Sequence, residues 1–231
     1  MIKGLQKISL IDYPGKIACT IFIGGCNFRC GYCYNSDLVF NNKSIPNISE
    51  DKVVAFLSSR KKYLEGVCIT GGEPTLYKDL IPLIKKIKNL GYKVKLDTNG
   101  SNPIIIKRLL QEELIDYIAM DIKAPLESYE LVASVRVNEE KIKETINIIK
   151  NSGIEYEFRT TIVPDIITED KIHKICSGIK GAKRYFIQQF KADIKTIDSK
   201  YNKMVPLEKD KLENFMEVAK QYVEFVGIRG I

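Results

Sequence analysis

Three of the chain's six cysteines, Cys26, Cys30 and Cys33, fall within eight residues, in the stretch Gly24-Gly25-Cys26-Asn27-Phe28-Arg29-Cys30-Gly31-Tyr32-Cys33-Tyr34-Asn35. Thiolates spaced C-x₃-C-x₂-C can wrap a compact metal centre only where the backbone turns tightly, and Gly24, Gly25 and Gly31 permit that. A structural zinc site takes four protein ligands, as does an electron-transfer iron–sulfur cluster. No fourth Cys or His is close, and the only histidine, His173, lies in a distant helical segment. Three ligands for a four-iron cluster leave one iron open to bind something else, which is a catalytic arrangement. A plain electron carrier would need the fourth cysteine that this stretch lacks. Cys19, Cys68 and Cys176 stand singly in apolar or helical surroundings and are expected in the core.

The elements that must hold this loop follow from apolar periodicity. Short β-branched runs predict strands at Ile17–Ile23, Val67–Thr70, Tyr92–Asp97, Tyr117–Ile122, Glu155–Val163 and Arg184–Gln189. Helical spacing predicts helices at Ser49–Tyr63, Lys78–Leu90, Pro103–Glu113, Asn138–Asn151, Thr168–Ser177 and Leu207–Phe225. Ser49 is placed to cap, Pro103 to start and Gly91 to end a helix. Such alternation predicts an α/β fold, a parallel sheet with outer helices. Six βα units suit an incomplete (β/α)6 TIM-type barrel, with a doubly wound sheet as the alternative. No linker or low-complexity tract interrupts the chain, so residues 1–231 are expected to form a single domain.

Further chemistry-bearing residues stand where predicted strands end, the positions from which barrel enzymes build their sites. Thr70-Gly71-Gly72-Glu73-Pro74 follows one strand; its glycines let a ligand approach the backbone, and Glu73 offers a carboxylate to an ammonium group. The next two strands end in Asp97-Thr98-Asn99-Gly100 and in Asp121-Ile122-Lys123. Arg159 lies inside an apolar run and requires an anionic partner, either a ligand carboxylate or a neighbouring acid. Gln188 and Gln189 close the sixth strand.

The cysteine spacing, with aromatic Tyr32 before the last cysteine, resembles the signature of the radical S-adenosylmethionine (SAM) superfamily. That resemblance implies one [4Fe–4S] cluster on Cys26, Cys30 and Cys33, with SAM on the open iron. It further implies that the Tyr32 backbone contacts adenine and that Gly71, Gly72, Glu73 and Pro74 bind the SAM amino group. Asp97-Thr98-Asn99-Gly100 and Asp121-x-Lys123 resemble the SAM-pocket segments of glycyl radical enzyme-activating proteins. By that resemblance Asp97 and Asp121 hold a monovalent cation beside the SAM carboxylate, while Asn99, Lys123 and Arg159 line the pocket. Gln188 or Gln189 stands where some activating enzymes use a histidine.

The likeness covers nearly the whole chain and is closest to anaerobic ribonucleoside-triphosphate reductase-activating proteins, whose N-terminus Leu5–Lys16 resembles. Gly31 departs from a common Pro, and Tyr34 from a common His. The implied reaction is reductive cleavage of SAM to a 5′-deoxyadenosyl radical, which takes a hydrogen atom from a glycine of a partner enzyme. No side chain need act as acid or base; the catalytic parts are the cluster and SAM. Activation of another glycyl radical enzyme, of the pyruvate formate-lyase type, and a radical SAM reaction on a small molecule are the alternatives. The absence of further clustered cysteines disfavours larger relatives with auxiliary clusters.

The net charge of +7 comes mostly from lysines spread over helical segments. No basic block interleaved with aromatics supports nucleic-acid binding. Together with Arg29, the charge suits an acidic flavodoxin or ferredoxin as electron donor. The apolar runs are too short for a membrane span, and the start lacks a secretory signal, so a cytoplasmic protein is expected.

Overall fold

The computed structural model describes residues 1–231. Its strands are β1 Ile2–Ser9, β2 Ala18–Ile23, β3 Gly66–Gly71, β4 Lys93–Thr98, β5 Tyr117–Asp121, β6 Glu155–Ile162, β7 Arg184–Gln189 and β8 Phe225–Arg229. The helices are α1 Ser36–Val39, α2 Glu50–Ser59, α3 Leu80–Asn89, α4 Pro103–Gln111, α5 Tyr129–Ala133, α6 Glu139–Lys150, α7 Glu169–Gly178 and α8 Lys209–Lys220. Strand order in the sheet follows the chain from β1 to β8. β1 runs antiparallel to β2, whereas β2–β3, β3–β4, β6–β7 and β7–β8 pair in parallel. The α/β class with a mostly parallel sheet is therefore as expected, and all six predicted strands are present.

Two strands were not legible. β1 carries Lys3, Gln6 and Lys7 and two register shifts against β2, so its sequence lacks the alternation of a half-buried strand. β8 lies where the helix Leu207–Phe225 was expected to end. That helix stops at Lys220, and Phe225 instead opens a strand that pairs with Arg184 on β7. The short run Phe225-Val226-Gly227-Ile228 is ambiguous by period alone, and only pairing with β7 decides it.

Helix ends obey local chemistry. The Ser49 side chain accepts from the Lys52 N–H at the start of α2, and Asn102 and Asn138 do the same for α4 and α6. Each such cap contributes about 1 kcal/mol. Gly91, at φ +89°, turns the chain out of α3.

The chain groups into two compact units. The first comprises Met1–Asn27, Asn35–Thr98 and Asn102–Ile118; the second comprises Phe28–Tyr34, Asn99–Ser101 and Ala119–Ile231. Ile21, Ile69, Leu96, Leu57 and Leu83 are wholly buried in the first, and Phe158, Ile187, Ile149 and Ile172 in the second. Each such side chain contributes about 1.5–3 kcal/mol through burial. Cys19, Cys68 and Cys176 are core residues, as expected. Burial pushes the Cys19 and Cys176 thiols up to about 12, which keeps them protonated and inert. No helix is long and apolar enough to cross a membrane.

Candidate active site

In the first unit, β3 ends directly against the chain leading to the first cysteine. The Gly72 N–H donates to the Ile23 carbonyl at 2.8 Å, and the Glu73 N–H to the Gly25 carbonyl at 2.8 Å. Gly71 sits at φ +121°, and a Cβ there would lie 2.4 Å from the Ile23 oxygen. A Cβ on Gly72 would lie 2.1 Å from the Gly25 oxygen and 3.2 Å from the Cys26 nitrogen. The paired glycines therefore have a packing reason of their own: only bare backbone passes this close to the Gly25–Cys26 peptide.

Glu73 is fully buried. Its Oε1 accepts from Thr75 N at 3.1 Å, Thr75 Oγ1 at 2.6 Å and Thr98 Oγ1 at 2.8 Å. One carboxylate oxygen is thus spent on capping the 3-10 turn Pro74–Leu76 and on tying it to the end of β4. Asn102 Nδ2 reaches the Thr75 carbonyl at 3.2 Å and braces the same turn. Asp97, near the end of β4, pairs through Oδ1 with the ammonium of Lys95, a residue only 1% exposed.

In the second unit, the chain from Phe28 to Tyr34 is pinned at several points. Arg29 N–H donates to the Ala133 carbonyl at 2.8 Å, and Cys33 N–H to the Cys30 carbonyl at 2.9 Å. The segment after β7 folds onto it: Ile197 N–H donates to Cys33 O at 3.0 Å, and Asp198 N–H to Gly31 O at 2.9 Å. The Tyr201 ring stands edge-on to Tyr32 at 6.2 Å, and a Cβ on Gly31 would lie 2.5 Å from Tyr201 Cε2. This explains Gly31: a ring occupies the space that a larger residue would need. Burial raises the Cys30 thiol and the Tyr32 phenol, with the nearby Lys123 charge opposing it in each case.

Asp121 ends β5 between two cations, Arg159 Nε at 2.8 Å and Lys123 Nζ at 3.0 Å. Burial opposes its ionisation, but the charges of Arg159 and Lys123 outweigh that and hold its carboxyl well below the usual carboxylate range. For Lys123 burial likewise opposes the charge, and Asp121 holds it well above the usual lysine range. Of the two partners foreseen for Arg159, the structure supplies the neighbouring acid. Beyond it, buried Glu157 lies 3.9 Å from Arg159 Nη1 and takes both arms of the Arg229 fork, at 2.7 and 2.9 Å. The Arg229 guanidinium stacks 3.5 Å from the centre of the Phe186 ring.

Asn99 accepts from the Ser101 N–H at 3.0 Å, and Gly100, at φ +77°, closes onto Met120. Gln189 is occupied, donating to the Leu207 carbonyl at 2.6 Å and accepting from Phe190 N–H at 3.1 Å. Sequence reasoning missed Lys95, Glu157, Tyr201 and Arg229. For two of them a signal existed. Lys95 is two residues from Asp97, and Glu157 two from Arg159, so period-2 spacing puts each pair on one strand face. Arg229 lies on the strand that was not foreseen, and nothing in the sequence links Tyr201 to Gly31.

A family model described as the Radical SAM superfamily matches residues 20–177. The chain belongs to the radical SAM superfamily. It is 34% identical, over 100% of its own length and 96% of the relative's, to a Methanocaldococcus jannaschii protein named "Putative glycyl-radical enzyme activating enzyme". It is 25% identical, over 95% of its length and 88% of the relative's, to a 7-carboxy-7-deazaguanine synthase of Archaeoglobus fulgidus. Among solved structures, Streptococcus suis SuiB bound to S-adenosylmethionine matches with a TM-score of 0.69 at 14% identity. That match covers 91% of this chain and 52% of SuiB, so the chain spans about half of that protein and the likeness concerns the fold.

Membership of the radical SAM superfamily implies a [4Fe–4S] cluster and SAM, and the residue types present fit both. Cys26, Cys30 and Cys33 are soft thiol donors, none of them in a disulfide. The glycines at 25, 71 and 72 keep the turn into Cys26 free of side chains. No three His, Cys, Asp or Glu side chains stand grouped at metal-binding spacing. The fit therefore rests on donor type and on the backbone that carries the cysteines.

Proposed function

We propose that this radical SAM protein activates a glycyl radical enzyme, with an anaerobic ribonucleoside-triphosphate reductase as the leading partner. The observation that carries the reading is similarity along the full chain to the M. jannaschii relative, together with a GGEP turn hydrogen-bonded at Ile23 and Gly25, just before the first cysteine. Cys26, Cys30 and Cys33 would hold the cluster. When bound, the reduced cluster and SAM supply a one-electron cleavage of the sulfonium that yields a carbon radical able to take a hydrogen atom from glycine.

The chain's own residues bind and orient. Gly71, Gly72, Glu73 and Pro74 present the turn for the SAM amino group, with Glu73 braced by Thr75 and Thr98. The Tyr32 backbone meets adenine, while Asp97, Asn99, Asp121, Lys123 and Arg159 line the rest of the pocket. Gln188 is preferred to the occupied Gln189 for the contact made by histidine elsewhere. Residues 1–231 act as one functional domain in the cytoplasm, with an acidic flavodoxin or ferredoxin supplying the electron near Arg29. No nucleic-acid or membrane partner belongs to this reading.

The test is anaerobic: reconstitute the cluster, add dithionite and SAM, and measure 5′-deoxyadenosine and methionine. Well-loaded protein that cleaves no SAM refutes the reading. Adding the reductase should then produce a glycyl radical by EPR. A second reading, a radical reaction on a small heterocycle, is favoured by the near full-length match to the A. fulgidus synthase. SAM cleavage stimulated by a purine-like substrate, with no radical on the reductase, would select it.

A further inference from the structure

We infer that Lys95 supplies, from within the chain, the positive charge that the family resemblance assigns to a monovalent metal ion at Asp97. The inference rests on the SAM-binding reading above and concerns what compensates the acidic residues of that site.

Lys95 lies on β4, two residues before Asp97 and on the same strand face. Its side chain is almost wholly buried, at 2% exposure, and its ammonium pairs with Asp97 Oδ1. Nζ also stands 3.7 Å from Cys68 Sγ and 6.0 Å from the centre of the Tyr117 ring. A buried ammonium is tolerated only beside a compensating charge, and among these partners Asp97 alone carries one. A hard metal ion takes several oxygen ligands, and at this position the carboxylate of Asp97 is the one that would offset its charge. Beside Lys95, an alkali ion would place two positive charges on one carboxylate where little water screens them.

The other acid expected to hold the ion is occupied in the same way within its own unit. Asp121 carries Lys123 at 3.0 Å and Arg159 at 2.8 Å, two cations for one carboxylate. Neither donor set fits an alkali ion. At Asp97 the chain's own ammonium takes the ion's place, and SAM binding is then independent of sodium and potassium.

The test uses the full chain with its cluster reconstituted anaerobically. SAM affinity is measured by calorimetry in sodium, potassium and tetramethylammonium chloride at one ionic strength. Binding of thallium(I), a probe for potassium, is followed separately by thallium NMR without SAM. Wild type should bind SAM equally in the three salts and leave the thallium signal unchanged. Lys95→Met should broaden that signal and bind SAM about tenfold more tightly with an alkali ion than without. Lys95→Arg keeps the charge and should behave as wild type, which covers the case in which Lys95→Met does not fold. Thallium binding or alkali-dependent SAM affinity in wild type overturns the inference, as does a folded Lys95→Met indifferent to the cation. If no variant binds SAM, the proposed function fails, and the thallium measurement still decides the question of the ion.

Discussion

Replacing Gly72 with alanine tests whether the GGEP turn is shaped by the backbone it packs on. Its Cβ would lie 2.1 Å from the Gly25 oxygen and 2.6 Å from the Gly25 carbon, both backbone atoms that cannot swing aside. Relief requires moving the turn by more than an ångström, an overpacking cost of about 2 kcal/mol. The shift also stretches the 2.8 Å bond from Glu73 N–H to Gly25 O, adding about 1 kcal/mol. A loss of about 3 kcal/mol in a chain of this size lowers Tm by roughly 6–12 °C. Gly91→Ala is the control. Gly91 has a φ of +89° and nothing within 4 Å of a new Cβ, so only conformational strain of about 1 kcal/mol is added. Scanning calorimetry should therefore separate the two variants clearly, and iron bound per chain after reconstitution should fall only for Gly72→Ala. Equal losses of Tm with full iron loading in both would refute the packing argument.

Three further outcomes follow from named contacts. Gly31→Ala drives a Cβ to 2.5 Å from Tyr201, so iron loading should fall and should recover in Gly31→Ala/Tyr201→Ala; no recovery would locate the constraint elsewhere. Arg229→Met strips buried Glu157 of a bidentate partner and should cost about 3 kcal/mol, with Arg159 at 3.9 Å softening the loss. Adding Glu157→Gln should restore part of the Tm, and a double variant no better than the single one would count against the buried pair. Asp121 ionises more readily folded than unfolded, so its contribution is complete above the unfolded value of about 3.9 and fades as pH drops below it. Asp121→Asn should lower Tm near neutrality and lose less than wild type on acidification. Parallel Tm–pH curves for the two proteins would contradict that assignment.

The cysteine spacing, the GGEP turn and the six expected strands were legible because each rests on short-range information. Three thiols within eight residues, glycines adjacent in sequence and apolar runs of β period need no partner to be recognised. What the sequence alone could not determine depends on residues far apart along the chain. β8 is a strand because β7 pairs with it, and Arg229 matters because that pairing belongs to the sheet holding Glu157. Gly31 is glycine because a ring 170 positions later, Tyr201, fills the space above it. For the acidic residues Asp97 and Asp121, charge spacing shows where a carboxylate stands and not which cation pairs with it. Burial decides that: it obliges Lys95, Lys123 and Arg159 to find anions, and Asp97 and Asp121 are the anions they find.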